Sequence, residues 1–330
     1  MNANLPEGLE EFLAEAGWSG AAVEPLPGDA SFRRYFRIRR GGESAMLMDA
    51  PPPHEDPKPF LDVGHWLIGQ GMRAPAIHAE RAEKGLVLIE DFGNARMRDW
   101  LDEYPEREEE VYGRAVDALA RLHMCPPGPF APYDMATYLR EASLLTEWFC
   151  DGAGIDSDAA ALEAAWREVL SPMMERQQPG VTVLRDYHAE NIMLLGPDQM
   201  DGGDQGLIDF QDALVGHRAY DLVSLLQDAR RDVPLELESA MLQRYSEAAG
   251  VGDEFAADYA RLGAQRNAKI VGIFARLWMR DGKPRYLSMI PRVWEALERD
   301  LRHPALAPVA EWFDANMPSD IRTARGDVLG

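Results

Sequence analysis

A long helical stretch that breaks once, for three short apolar runs, constrains the fold of this chain more than any other feature. From residue 97 onward apolar residues recur at helical spacing, predicting helices over 97–101, 107–124, 135–150 and 157–177, with more after residue 210. The break consists of Val181-Thr182-Val183-Leu184, Ile192-Met193-Leu194-Leu195 and Gly206-Leu207-Ile208-Asp209-Phe210. These runs have strand character and predict a small hairpin embedded in a helical body.

The first ninety residues follow another pattern. Leu5, Leu9, Phe12, Leu13 and Ala16 share one face of a short amphipathic helix. Strand-like runs follow at 23–26, 35–39 and 45–49, separated by the turn signals Pro27-Gly28-Asp29 and Gly41-Gly42. A helix over 59–70 closes at Gly71, and two more strands at 76–80 and 86–89 flank Glu83-Lys84-Gly85. The expected architecture is therefore α+β and bilobal. It has a small β-rich lobe at 1–90, a hinge at 91–95 and a larger helical lobe at 96–317 holding the hairpin; residues 318–330 form a weakly ordered tail.

Composition narrows the function classes. With 46% hydrophobic and 27% charged residues over 330 positions, the chain has the mix of an ordinary folded protein. A net charge of −22 argues against nucleic acid or an anionic membrane as partner, since both need a basic face. The acidic, amphipathic N-terminus has no basic start or apolar run, and no stretch is long enough to span a membrane, so the cytoplasm is the expected location. Cys125 and Cys150 form no C-x-x-C pair, which leaves a zinc ribbon or redox motif unsupported.

Chemistry concentrates in Leu184-Arg185-Asp186-Tyr187-His188-Ala189-Glu190-Asn191-Ile192-Met193. Strand-like runs flank this segment, and Ile208-Asp209-Phe210 follows on the next one. The Asp-x-x-x-x-Asn loop followed by Asp-Phe is similar to the pattern of eukaryotic-like kinases. The phosphoryl transfer that this resemblance implies needs a hydroxyl held in line and metal ions to absorb phosphate charge. Asp186 can accept the hydroxyl proton, while Asn191 and Asp209 offer hard oxygen atoms suited to Mg²⁺. His188-Ala189-Glu190-Asn191, Ile208-Asp209-Phe210 and Gly216-His217-Arg218-Ala219-Tyr220-Asp221-Leu222 resemble the aminoglycoside phosphotransferase family. The resemblance implies a protein-kinase-like fold, Asp186 as catalytic base, and Asn191 and Asp209 as ligands of Mg²⁺ with ATP, GTP not being excluded. It also implies that Asp221 braces the loop and that His123 has a structural role. His188 and Glu190, within the loop, are candidates for substrate contact.

The nucleotide side departs from that family. Gly28-Asp29-Ala30-Ser31-Phe32-Arg33-Arg34 occupies the position of a phosphate-covering loop without being Gly-rich in the kinase manner, and no Walker motif is present. Gly28, Ser31, Phe32, Arg33 and Arg34 are the nucleotide-binding candidates there. The strand at 45–49 lacks the lysine usual in this superfamily, and the helix after it lacks the partner glutamate. Arg33 and Arg34, with Lys58 behind them, are the nearest cations for a triphosphate. At the start of the hinge, Glu90 and Phe92 flank the backbone expected to read the base.

Pro27 to Arg37, Met48-Asp49-Ala50-Pro51-Pro52 and Asp186 to Asn191 resemble bacterial kinases that phosphorylate C1 of N-acetylmuramate and N-acetylglucosamine in cell-wall recycling. The resemblance covers about residues 20 to 300. An amino sugar and a nucleotide are the partners it implies; protein partners stay unknown. Lys269, Arg276 and Arg280 share one helix face, and Arg276 and Arg280 are the candidates to meet an acceptor carboxylate, with Trp278 able to stack on a sugar ring. Two alternatives stay open: a phosphotransferase for another small alcohol or an aminoglycoside, and a nucleotide-binding pseudokinase scaffold.

Overall fold

Helix α1 (Leu9–Glu15) opens the chain in the computed structural model, which describes residues 5–27, 32–196 and 204–329. It begins later than its apolar pattern suggests, because Gly8 adopts φ 76°, a left-handed conformation that ends helical continuity on that side. Leu9, Phe12 and Leu13 pack against one face of an antiparallel sheet formed by β1 (Ala22–Pro25), β2 (Arg34–Arg40), β3 (Glu43–Asp49), β4 (Ile77–Arg81) and β5 (Leu86–Glu90). The spatial order is β1-β2-β3-β5-β4. Phe36, Ile38, Ala45, Leu47, Leu86 and Leu88 alternate onto that same face, which is the two-residue period of a pleated strand. The β2–β3 register pairs Arg34 with Asp49 and Tyr35 with Met48. Helix α2 (Lys58–Gly69) is inserted between β3 and β4 and buries Phe60, Leu61, Val63 and Leu67.

After α3 (Met97–Glu103) the chain enters its helical part with α4 (Glu108–Met124), α5 (Met135–Ala142) and α6 (Ala159–Arg176), then β6 (Val181–Val183). The helix expected over 135–150 is two pieces: α5 stops at Ala142, and Leu145–Cys150 forms a π-helical turn. The backbone of Leu144, beside that turn, lies so close to Gly272 that any Cβ on Gly272 would fall 2.3 Å from it. The hairpin follows as β7 (Ile192–Leu195) and β8 (Asp204–Leu207), which pair antiparallel. Next, β9 (Leu214–Gly216) returns to pair with β6. The rest is helical: α7 (Ala219–Leu226), α8 (Leu235–Ala249), α9 (Phe255–Met279), α10 (Ile290–Leu301), α11 (Ala307–Asn316) and α12 (Ser319–Ala324).

The chain divides into two units, Met1–Arg107 with Glu190–Asp212, and Glu108–Ala189 with Ala213–Gly330. In the first unit the hairpin is tied to preceding segments, since Leu194 N–H donates to Ala95 O at 2.7 Å and Leu207 N–H to Arg73 O at 2.8 Å. In the second, the long α9 runs through the core with Gln265 and Asn267 fully buried. Residues 318–329, expected to be weakly ordered, carry α12 and a 3₁₀ turn. Arg322 anchors them to Glu298 at 2.7 and 2.6 Å, and Trp278 Nε1–H donates to Leu329 O at 3.0 Å. Trp278 is thereby engaged by the tail. No helix among the described residues is long and apolar enough to cross a membrane.

Candidate active site

The first unit holds the expected metal ligands at the base of its hairpin. Asn191 immediately precedes β7, and its carbonyl accepts from Ile208 N–H at 3.1 Å, which closes the two strands on each other. Asn191 Nδ2 donates to Asp209 Oδ2 at 3.3 Å, and Gln211 Nε2 donates to Asp209 Oδ1 at 3.0 Å. Strand β8 ends at Leu207, and Asp209 sits past it at φ 59°, a left-handed conformation that costs a non-glycine residue about 1 kcal/mol. Such strain persists only where neighbours over-determine it. Here Phe210 stacks on Phe60 of α2, with ring centroids 5.0 Å apart. Among the described residues no three His, Cys, Asp or Glu cluster in a way that could hold a metal. One carboxylate and one amide oxygen suit Mg²⁺, an ion that keeps several waters and shares its coordination with phosphates.

The segment expected to read the nucleotide base lies in the same unit. Arg73 pairs with the Glu90 carboxylate through two contacts at 2.7 and 2.5 Å, and its guanidinium lies 4.7 Å over the Phe92 ring. Phe92 packs so closely on Gly206 that a Cβ there would come within 2.5 Å of the ring. Asp91 Oδ1 accepts from Gly93 N–H at 3.0 Å, and Arg37 of β2 reaches Asp91 at 2.8 Å, Gly93 O at 3.1 Å and Asn94 Oδ1 at 2.9 Å. Buried Arg37 therefore clamps residues 91–94. Neither Arg37 nor Arg73 was legible as a clamp, since an isolated arginine on a strand or in a loop carries no motif.

Of the phosphate-loop candidates, Gly28 and Ser31 lie outside the described residues. Phe32 is exposed and stacks on His54 at 5.4 Å. Arg34 is engaged by Asp49 across the β2–β3 register, at 2.8 and 2.5 Å. Arg33 reaches Glu55 at 3.4 Å. Glu190 pairs with Arg98 of α3.

The second unit carries Asp186 in a braced loop. Asp221, fully buried at the start of α7, accepts from Leu184 N–H at 2.7 Å and Arg185 N–H at 2.8 Å. Burial pushes its carboxyl up to about 7, against the lowering effect of those two donors. Arg185 occupies φ 71°, a second strained position beside Asp186. Asp228 supports the far end of the loop: its Oδ2 accepts from Ala189 N–H at 3.3 Å, and its Oδ1 from Arg230 N–H at 2.8 Å. Arg230 in turn meets His188 Nε2 at 3.2 Å. His188 is buried, and burial depresses its basicity first of all. His123 is buried at the end of α4 with Nδ1 2.6 Å from Tyr245 Oη, and burial drives its pKa down to about 3, which keeps it neutral.

The Asp186 side chain is 45% exposed, with Arg266 Nη2 at 4.0 Å. Burial alone would raise its carboxyl, but His188, Arg266, Lys269 and Arg185 outweigh that and hold it below the ordinary aspartate value. Arg266 donates to Ser224 Oγ at 2.8 Å and lies 5.9 Å over the Tyr220 ring. Lys269 is 2.8 Å from Glu141, which also pairs with Arg185 and accepts from Tyr133. Thus α9 presents Arg266 and Lys269 towards Asp186. Arg276 lies about 10 Å and Arg280 about 16 Å farther along its axis from Lys269, at 1.5 Å per residue. Arg280 pairs with Asp281 at 2.7 Å. The Arg276 Nε is buried without a hydrogen-bond partner among the described residues, and burial with the nearby Arg280 charge lowers its basicity. Arg266 escaped the sequence reading although it sits one helical turn before Lys269, the residue from which the basic face was counted.

An aspartate loop braced from beneath on a helical unit, and an Asn–Asp hairpin base on a sheet unit, are the parts of a phosphotransferase with a protein-kinase-like fold. The model of the phosphotransferase enzyme family matches residues 22–264, and this chain belongs to that family. A Caulobacter vibrioides protein named N-acetylmuramate/N-acetylglucosamine kinase is 37% identical over 94% of this chain and 96% of its own length. A Pseudomonas aeruginosa protein of the same name is 36% identical over 96% of each chain. Among solved structures, a choline kinase from Streptococcus pneumoniae superposes with a TM-score of 0.62 at 14% identity, covering 90% of this chain and 100% of the other. An ADP-bound aminoglycoside phosphotransferase gives 0.61 at 15% identity, covering 94% and 99%. These likenesses show the expected fold.

Proposed function

We propose that this protein is an ATP-dependent amino-sugar kinase that phosphorylates the anomeric C1 hydroxyl of N-acetylmuramate and N-acetylglucosamine. The observation that carries the acceptor class is the pair of near-full-length relatives, at 37% and 36% identity, whose names give those two sugars. The chemistry rests on Asp186, which is accessible and held as a carboxylate by the cations around it. As the C1 oxygen bonds to the γ-phosphorus, its proton passes to the Asp186 carboxylate and the bond from that phosphorus to the bridging oxygen breaks, releasing ADP. Asp221 fixes the loop that aims Asp186. Asn191 and Asp209 would hold Mg²⁺, which when bound neutralises charge on the phosphates. Arg266 and Lys269, on the turns of α9 nearest Asp186, are better placed than Arg276 or Arg280 to attract the lactyl carboxylate of N-acetylmuramate. A reaction of this kind on a recycled wall sugar would run in the cytoplasm.

The test is ADP release over an acceptor panel containing both amino sugars, their 1-O-methyl glycosides, choline and an aminoglycoside. Turnover with the free sugars and none with the methyl glycosides is expected. Equal turnover with the blocked sugars would remove C1 as the site, and turnover confined to choline or the aminoglycoside would replace the acceptor class. No turnover with any acceptor, alongside retained nucleotide binding, would favour a pseudokinase scaffold.

A further inference from the structure

Kinases of this fold commonly place a lysine on the third strand of the sheet and pair it with a helix glutamate, so that a fixed cation meets the nucleotide phosphates. Strand β3 here reads Glu-Ser-Ala-Met-Leu-Met-Asp and helix α2 contains no glutamate, so both halves of that pair are missing from their usual elements. The triphosphate still needs a positive partner on the side of Asp209.

Two arginines stand at the mouth of β2, and their surroundings differ. Arg34 is bound through two contacts to Asp49, whose side chain is 3% exposed, and that pair lies in the strand register. Arg33 precedes the strand and meets Glu55 at 3.4 Å, both side chains being under one-fifth exposed. A second contact joins the same two segments, since Phe32 stacks on His54. Glu55 lies three residues before α2 begins, and α2 packs on Phe210, the neighbour of Asp209, through Phe60 and the bare face of Gly64. One helix therefore links the Arg33–Glu55 pair to the expected metal ligand inside a single unit. Burial disfavours the Arg33 charge, the Glu55 and Asp209 carboxylates act to keep it, and Tyr35 is hydrogen-bonded to the same side chain.

We propose that Arg33, braced by Glu55 and Tyr35, is the cation that receives the nucleotide polyphosphate beside Asp209, an arginine–glutamate pair moved to the start of β2 and the approach to α2. The inference rests on the kinase reading above. It concerns the nucleotide alone, so its test needs no acceptor.

Calorimetric titration of the full chain with ATP, ADP and AMP, each with Mg²⁺, reads it. AMP serves as internal reference because it lacks the β- and γ-phosphates. Losing one charge-assisted contact with phosphate should weaken ATP binding by about 10- to 100-fold in Arg33→Met, with AMP affinity unchanged. Arg33→Lys keeps the charge and should recover part of the loss, which separates a binding role from a folding defect. Glu55→Gln should weaken ATP binding less, and Arg33→Met/Glu55→Gln should be no worse than Arg33→Met alone, as expected for two residues acting as one unit. An Arg33→Met protein that keeps the wild-type preference for ATP over AMP would overturn the assignment and leave the kinase reading intact. A wild type that binds ATP no better than AMP would overturn both.

Discussion

At Asp186, four positive or ionisable neighbours compete with burial, and the neighbours win. The consequence is kinetic. A general base must be ionised to act, so in the proposed mechanism kcat/KM should fall on the acid side only as pH drops through the depressed Asp186 value. Arg266 is the guanidinium 4.0 Å away. Arg266→Met removes its charge, so the acid limb should move to higher pH, whereas a purely structural role would lower kcat/KM at every pH without moving the limb. Asp186→Asn, which cannot take the proton, should reduce kcat by about 10²- to 10⁴-fold with the melting temperature near wild type. Full activity in that variant would remove Asp186 from the mechanism. These positions were open to sequence reading in unequal measure. Asp186, Asn191 and Asp209 announce themselves by spacing, and Asp221 by its place after Tyr220. Arg266, Asp228 and Arg37 do not, because each acts through a partner brought near by the fold.

Among the elements, the β6–loop–α7 connection has the clearest energetic argument. Two backbone N–H groups, of Leu184 and Arg185, have the Asp221 carboxylate as acceptor. Asp221→Ala leaves both donors without it in a buried place and should cost about 3 kcal/mol, lowering the urea midpoint while Asp186 loses its aim. A variant of wild-type stability and kcat would show that the loop is held by something else. Strand β9 went unread because Leu214-Val215-Gly216 is too short to display a period, and the halved helix at 135–150 because a π-helical turn of six residues is too short to reveal its wider spacing. Most sheet strands and long helices were legible, since each alternates or repeats over enough residues to expose its buried face.

For the molecule as a whole, the acidic balance makes stability sensitive to how its carboxylates are paired. Asp258 is buried at the head of α9, with Arg176 at 2.8 and 2.6 Å, Arg261 at 2.8 Å and His217 at 3.3 Å. Burial works against the Asp258 carboxylate, and the pairs with Arg176 and His217 more than compensate, leaving its pKa far below the ordinary 3.8. The folded pKa is the lower one, so the stabilisation is present above about pH 4 and is lost as pH falls below that. Arg176→Met should therefore destabilise the protein at pH 7 by about 2 kcal/mol and by less near pH 3, seen as melting curves that converge on acidification. Curves that stay parallel would refute the pairing argument.

The proposed function stands or falls with the movement of a phosphoryl group from ATP to the anomeric oxygen of an amino sugar. The most direct measurement is ³¹P NMR of the purified protein with Mg-ATP and N-acetylmuramate, with N-acetylglucosamine in parallel. A new sugar-phosphate doublet coupled to the anomeric proton is expected as the γ-phosphate signal declines. A phosphomonoester coupled to any other sugar proton, or ATP that stays intact with both sugars, would contradict it.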